Sequence, residues 1–245
     1  MDHALWITWY DLPEDGRSDY LLWLHETYIP AILGRPGILH GAHYAEVVRK
    51  SFVRPMHGSD DRSIPSGHQF ILMFAAEHAY VFGDPVPVDH NAALPDSSRK
   101  MLSLRIGERS NVMAEAARVA GKALPHYESG MLMAPCIQIG SFNFPWQQEE
   151  ELLKWFAQWR MPTVAALPAC VRIRKLASVS GWAKHGVIYE YESVAARNRD
   201  YPMHEDAYPE MKAWSDKVVE QIIHPPPGTG ALATRIWPPV SRPTP

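Results

Sequence analysis

Short apolar runs of β-type composition alternate along this chain with segments whose apolar residues recur at helical spacing. Leu5 to Leu12 and Ile137 to Phe144 are β-rich, and each is closed by a proline, Pro13 or Pro145, that cannot continue a central ladder. Polar connectors follow, Glu14 to Asp19 and Gln147 to Glu151, whose acidic side chains suit the first turn of a helix. The pattern predicts helices over about 19–33 and 149–166, with Pro30 and Pro162 kinking or interrupting them near residues 29 and 161. Strands over 38–48 and 170–180 come next, then third strands from His68 to Ala76 and from Gly186 to Glu192. The loop before the third strand is longer in the first set, where Met56 to Gly67 is polar. Second helices over 95–105 and 208–223 and fourth strands over 110–118 and 231–237 complete two βαββαβ sets.

The two sets are copies. Shifted by 132 residues, Ile7 falls on Ile139, Pro13 on Pro145, Leu21 on Leu153, Trp23 on Trp155, Pro30 on Pro162, Pro36 on Pro168, Ala45 on Ala177 and Val47 on Val179, without a gap. A βαββαβ order is the ferredoxin-like split unit, an antiparallel four-stranded sheet with both helices on one face. The other face must be buried against something, and two fused copies supply a covering sheet for each other. The expected organisation is α+β: a first repeat over residues 1–125, a second over 130–240, and a loose tail at 241–245.

Composition narrows the function classes. Lys and Arg number 24 against 27 Asp and Glu in 245 residues, a net charge of −3 with no basic patch, which argues against a nucleic-acid partner. The only cysteines, Cys136 and Cys170, lie in apolar stretches without a CxxC, so a zinc ribbon or disulfide scaffold is not expected. No window approaches 18 apolar residues, and Met1 to Ala4 do not begin a secretory leader, so no membrane partner and a cytoplasmic setting are expected. Nine tryptophans make self-association into a homo-oligomer an expectation.

Two ferredoxin-like units packed sheet to sheet resemble the dimeric α+β barrel superfamily in a tandem, single-chain form. Within it, Leu21-Leu22-Trp23-Leu24-His25-Glu26-Thr27-Tyr28-Ile29-Pro30, running on to Arg35-Pro36-Gly37-Ile38, is similar to the EthD-like pattern of an aromatic helix, a short H-x-P element, PG and a strand. Where many such sequences carry a histidine two residues before the proline, this chain has Tyr28 and Arg160, with His25 one turn earlier. The resemblance implies the fold; its members include isomerases, cyclases, cofactor-free mono-oxygenases and haem enzymes.

Strand alternation assigns the candidate site. Val171 and Ile173 are expected to face the helices, leaving Arg172, Arg174 and Leu176 toward the barrel, with His40, Ala42 and Tyr44 as counterparts. Ile7 and Ile139 are expected on the helix side, so Trp6, Thr8 and Tyr10 would face the barrel opposite Gln138, Gly140 and Phe142. On that reading the cavity holds His40 as the acid–base group, Tyr44 and Tyr10 as oxyanion donors, Trp6, Thr8 and Phe142 as walls, and Arg172 and Arg174 as anion anchors. Each has a structural alternative: a solvent-exposed strand end for His40, surface ion pairs for the arginines. Glu190, in an apolar strand, is either a general base or the partner of an arginine across the sheet. His25 either caps the pocket mouth or sits on the solvated helix face. His57, His68, His78, His90 and His126 show no metal-site spacing, and no metal is expected.

The expected function is cofactor-independent acid–base chemistry on a small cyclic or aromatic carbonyl or carboxylate substrate, of isomerase, cyclase or lyase type. The alternatives are a cofactor-free mono-oxygenase, a haem enzyme with an axial histidine such as His204 or His185, and a non-catalytic binder of a small ligand. The chain contains no GxSxG, P-loop or GxGxxG.

Overall fold

The computed structural model describes residues 1–47, 57–127, 133–202, 208–227 and 230–240. Its strands are β1 (Ala4–Asp11), β2 (Ile38–Glu46), β3 (His57–Gly58), β4 (Phe70–Ala76), β5 (Ile106–Ala120), β6 (Cys136–Phe142), β7 (Cys170–Ser180), β8 (His185–Tyr191), β9 (Ile223–His224) and β10 (Ala231–Trp237). Eight of them close into a barrel in the order β1-β4-β2-β10-β6-β8-β7-β5, while β3 and β9 pair in a small separate ribbon. Within each repeat the strands run fourth, first, third, second, the split-unit order. The repeats join where β10 pairs with β2 and β5 with β7, which closes the eight-stranded barrel without an open edge.

The helices keep the 132-residue register. In the first repeat α1 (Arg17–Trp23) passes through a π-helical turn at Leu24–Tyr28 into α2 (Ile29–Leu33). The second helices of that repeat are α3 (Pro87–Ala92) and α4 (Asp96–Leu102). In the second repeat α5 (Glu149–Trp155) passes through a π turn at Phe156–Arg160 into α6 (Met161–Ala165), and α7 (Val194–Asp200) and α8 (Pro209–Val219) follow. The expected interruption at Pro30 and Pro162 is thus a π turn. Each proline stands in the first turn of the following α segment, where the wider turn before it absorbs the missing N–H without breaking the helix.

Three apolar layers result. Trp6, Tyr10, Tyr20, Leu24 and Phe74 pack beneath the helices of the first repeat, and Phe142, Trp155, Phe156, Ile173 and Tyr189 beneath those of the second. Leu5, Ile7, Trp9, Ala42, Tyr44, Met73, Met113, Ile139 and Leu176 fill the barrel. The expected facing of the first strands is therefore reversed. Ile7 and Ile139 point into the barrel, whereas Trp6, Tyr10 and Phe142 lie under the helices, with Thr8 on the Trp6 and Tyr10 side of its strand. Both faces of a barrel strand covered by helices are buried, so β1 reads apolar on each and its parity carries no signal. The second strands face as expected for His40, Ala42, Tyr44, Arg172, Arg174, Leu176 and Ile173; Val171, beside a bulge, joins Ala123 and Ala134 instead of the layer under the helices.

One end of the barrel interior is charged and closed. Arg174 meets Asp2 at 2.7 Å and Glu115 at 2.5 Å, and Arg118 bridges the same two carboxylates at 3.0 and 2.8 Å. Arg172 holds Glu190 by two hydrogen bonds of 2.8 Å, the arginine-partner alternative for that carboxylate. Among the described residues no helix is long and apolar enough to cross a membrane, and no group of three His, Cys, Asp or Glu is arranged to hold a metal ion.

Candidate functional site

Under the first helix of each repeat, five positions are equivalent and are filled differently. On the first strand they are Tyr10 and Phe142, on the second His43 and Lys175, and on the helix His25 and Ala157, each pair related by the same 132-residue shift. The third strand supplies Phe70, which pairs with Tyr10, or His185, which pairs with Phe142. The fourth strand of the opposite repeat supplies Trp237, which pairs with His43, or Ala117, which pairs with Lys175.

In the first repeat the five make a solid plug. The Tyr10 hydroxyl and His43 Nε2 share a 2.8 Å hydrogen bond, and His43 Nδ1 and His25 Nε2 share another of 2.8 Å. The His43 ring stacks on Phe70 and Tyr10, and His25 stacks on Trp237 at 6.2 Å between centroids. Burial holds His43 well below the usual histidine range, so the ring is neutral within this stack.

In the second repeat the histidine and the indole are replaced by Ala157 and Ala117, and a hollow of about 580 Å³ opens between α5–α6 and strands β5 and β7. Leu152, Phe156, Met161 and Leu176 give it apolar walls, and its size falls in the range of about 300–1,000 Å³ typical of small-molecule sites. Four polar residues line it, Lys175, His185, Glu149 and Glu150, and the first three are joined by hydrogen bonds. Lys175 Nζ donates to His185 Nδ1 at 3.3 Å and to the Leu176 carbonyl at 3.1 Å; His185 Nε2 donates to Glu149 Oε1 at 3.2 Å. This chain of bonds assigns the ring proton to Nε2 and leaves Nδ1 as an acceptor. Glu149 also takes Lys184 Nζ at 2.5 Å, and that bond holds its carboxyl below the usual range.

Burial pushes the Lys175 ammonium down to about 8, against a smaller opposing pull from Glu149. Phe142 and Phe156 lie 5.6 and 5.2 Å from Nζ, so the cation that remains is met by ring faces instead of water. Burial, with Lys175 next, lowers His185 as well. A wider groove of about 870 Å³ lies over the first repeat between β5 and α3–α4. Its Arg99 and Glu108 are paired, with Asp96 and Arg105 respectively.

The residues singled out from the sequence are divided among several places. His40, Tyr44, Arg172, Arg174 and Glu190 share the charged barrel end, where Tyr44 donates to the Ala134 carbonyl at 2.9 Å and His40 lies 3.7 Å from Asp2. Burial lowers His40 to about 4. Tyr10 and His25 are brought together through His43, while Trp6 packs on Phe74 and Thr8 bonds Ser110 at 2.7 Å. Phe142 alone borders the Lys175 cluster. His43, Lys175 and Glu149 were missed. The signal for Lys175 was present: its parity with Ile173 puts a lysine on the buried helix face of a strand, where an ammonium needs a reason.

No family model matches the chain, and no curated protein does. Solved structures do. An anthrone oxidase-like protein superposes with a TM-score of 0.63 at 11% identity, over 96% of this chain and 92% of its own. A candidate monooxygenase from Fusobacterium nucleatum subsp. nucleatum gives 0.56 at 10% identity, over 96% and 93%. A candidate chlorite dismutase gives 0.53 at 13% identity, over 96% of each chain. The chain has the dimeric α+β barrel fold. At these identities the likeness is one of fold, and the chemistry has to be read from this chain's own residues. Of the two histidines named for a haem, His204 lies outside the described residues, and both ring nitrogens of His185 are engaged by Lys175 and Glu149, so the residues present do not fit a haem ligated by His185.

Proposed function

We propose that this protein is a cofactor-independent enzyme that moves a proton on a small, largely apolar cyclic or aromatic carbonyl compound in the hollow of its second repeat. The observation that carries the reading is the exchange of a plug for a site on one scaffold: Ala157 and Ala117 open the volume that His25 and Trp237 fill, and Lys175 faces it. With a pKa near 8, roughly a tenth of Lys175 is free amine at pH 7, enough for a general base and close enough to neutrality for the conjugate acid to return the proton. Glu149 orients His185, and His185 Nδ1 orients one N–H of the amine, leaving the nitrogen lone pair for the substrate.

Lys175 Nζ removes a proton from the carbon beside the carbonyl, and the electron pair passes to oxygen as an enolate. The new ammonium lies against that charge beside the apolar walls of the hollow, where the attraction is stronger than in bulk solvent. Return of the proton to the opposite face of the same carbon, or to the γ-carbon where a conjugated double bond makes the intermediate a dienolate, gives an isomer with no net change in atoms. Departure of a β-substituent from the same enolate would make the enzyme a lyase.

The test is proton exchange in deuterium oxide, followed by NMR across a panel of small cyclic and aromatic ketones. Wild-type protein is expected to exchange α-protons of at least one member on the order of a hundred-fold faster than Lys175→Met does. Equal rates for the two proteins would overturn the assignment.

A further inference from the structure

The opposite end of the barrel holds a buried cation, Arg109, that makes no ion pair among the described residues. Arg109, on β5, lies over the inward-facing Trp9 ring at 4.8 Å, and one terminal nitrogen donates to the Gly67 carbonyl. That close approach of backbone is possible because residue 67 is glycine: a Cβ there would stand 2.6 Å from both the Gly107 carbonyl oxygen and the Tyr10 Cα. The Nε–H is buried and has no partner, and no carboxylate among the described residues comes within ion-pairing distance of the guanidinium. The two acids on this rim are turned to other groups. Asp11 Oδ1 accepts from the amides of His68 and Gln69 at 2.7 and 2.8 Å, and Glu46 lies 3.6 Å from His68 Nε2.

Beside the guanidinium is a cavity of about 240 Å³, the liquid volume of roughly eight water molecules. Ser141 and Asn111 line it with Arg109, as do Ser63, whose hydroxyl donates to Asp61, and Ser110, whose hydroxyl is shared with Thr8; Ile64, Pro65, Trp182 and Pro225 supply its apolar wall. One fixed positive charge with an unused donor, a serine on the same wall and an apolar and aromatic lining are the parts of a site for a monoanion with a flat apolar body.

We propose that this mouth of the barrel binds a small organic carboxylate, its anionic group on Arg109 beside Ser141, its body against Trp182, Ile64 and Pro65. An inorganic anion would satisfy the guanidinium and leave the apolar wall wet, so the carboxylate with a ring is favoured over phosphate. The site lies at the mouth of the barrel and shares no lining residue with the hollow that contains Lys175. The desolvated state of Arg109 agrees with this assignment: burial lowers it to about 10 against a smaller opposing pull from Asp11, and a bound anion would move it back toward its ordinary basicity.

Titration calorimetry with benzoate, benzamide and inorganic phosphate tests the site on the intact protein. Benzoate is expected to bind at least ten-fold more tightly than the neutral benzamide and than phosphate, and Arg109→Gln to lose at least ten-fold for benzoate while Arg109→Lys keeps part of it. In wild-type protein the Arg109 Nε–H resonance, assigned by its loss in Arg109→Lys, is expected to move on adding benzoate, which keeps the test open if Arg109→Gln folds poorly. Equal binding of benzoate and benzamide, phosphate as the preferred ligand, or a stationary Nε–H resonance would each overturn the proposal.

Discussion

His43 and Lys175 stand at the same place in the two repeats, each on a second strand and each paired across the seam with the other repeat's fourth strand. One is locked between Tyr10, Phe70 and His25 with no accessible surface, and the other borders a hollow. A duplicated fold lets one copy keep the structural version of a position while the other carries chemistry.

That relationship can be reversed by substitution. Ala117→Trp puts an indole where Trp237 lies in the first repeat and is expected to fill the hollow, removing ligand binding and turnover without touching Lys175. Thermal unfolding and far-ultraviolet circular dichroism should show a folded protein, and turnover unchanged in this variant would separate the hollow from the activity.

Trp237→Ala should create the missing cavity in the first repeat. Because Trp237 is only partly buried, the cost is expected at about 2–3 kcal/mol, below that of a fully enclosed tryptophan. Urea unfolding measures it. No Lys175-like chemistry is expected to appear, since His43 in that position is neutral and bonded on both nitrogens.

Lys175→Met is expected to abolish activity and raise stability. The folded protein holds the lysine pKa near 8, below the 10.5 of an exposed lysine, so at pH 7 the unfolded chain binds the proton more strongly and folding carries that cost. Stability from this group rises with pH between about 8 and 10.5, and below 8 the penalty is fully present. Allowing for partial exposure of the side chain, methionine should gain about 1–2 kcal/mol at pH 7, and a loss of stability would show that the ammonium is better solvated than its surroundings indicate.

Acid should weaken the barrel through His40. Its folded pKa of about 4 lies below the ordinary 6.5, so as pH falls from 6.5 to 4 the unfolded chain takes up a proton that the native protein refuses. Stability is therefore expected to fall with pH in that window, and His40→Gln should flatten the slope by up to about 1.4 kcal/mol per pH unit. An unchanged slope would place the acid-sensitive group elsewhere, His224 being the next candidate because burial also lowers it to about 4.

The repeat made most of the fold legible. Identities such as Pro30 with Pro162 and Trp23 with Trp155 tie the helices together at one shift, and the π turns before both prolines fall at that same shift. The site was legible in part. His40, Ala42 and Tyr44 were rightly turned inward because the 132-residue shift sets them against Arg172, Arg174 and Leu176, whose charges alternate with the apolar Val171 and Ile173, whereas Trp6, Ile7, Thr8, Trp9 and Tyr10 offer two buried faces that alternation cannot tell apart. The inward charges read as ligand anchors, but Arg172 is held by Glu190 on the neighbouring strand, the pairing offered as one alternative, and Arg174 by Asp2 and Glu115, which are far from it in sequence. The hollow depends on two absences, at Ala157 and Ala117, and an alanine in one copy carries meaning only once the strand pairing sets it against Trp237 in the other.

The most direct measurement is the titration of the Lys175 side chain itself, by NMR of protein carrying ¹³C-labelled lysine, with Lys175→Met supplying the assignment. The account predicts a midpoint near 8, well apart from the other lysines, that disappears from this range in Ala117→Trp or moves when the hollow is filled. A midpoint near 10.5, unaffected by closing the hollow, would show an ordinary solvated ammonium and contradict the placement of the chemistry there.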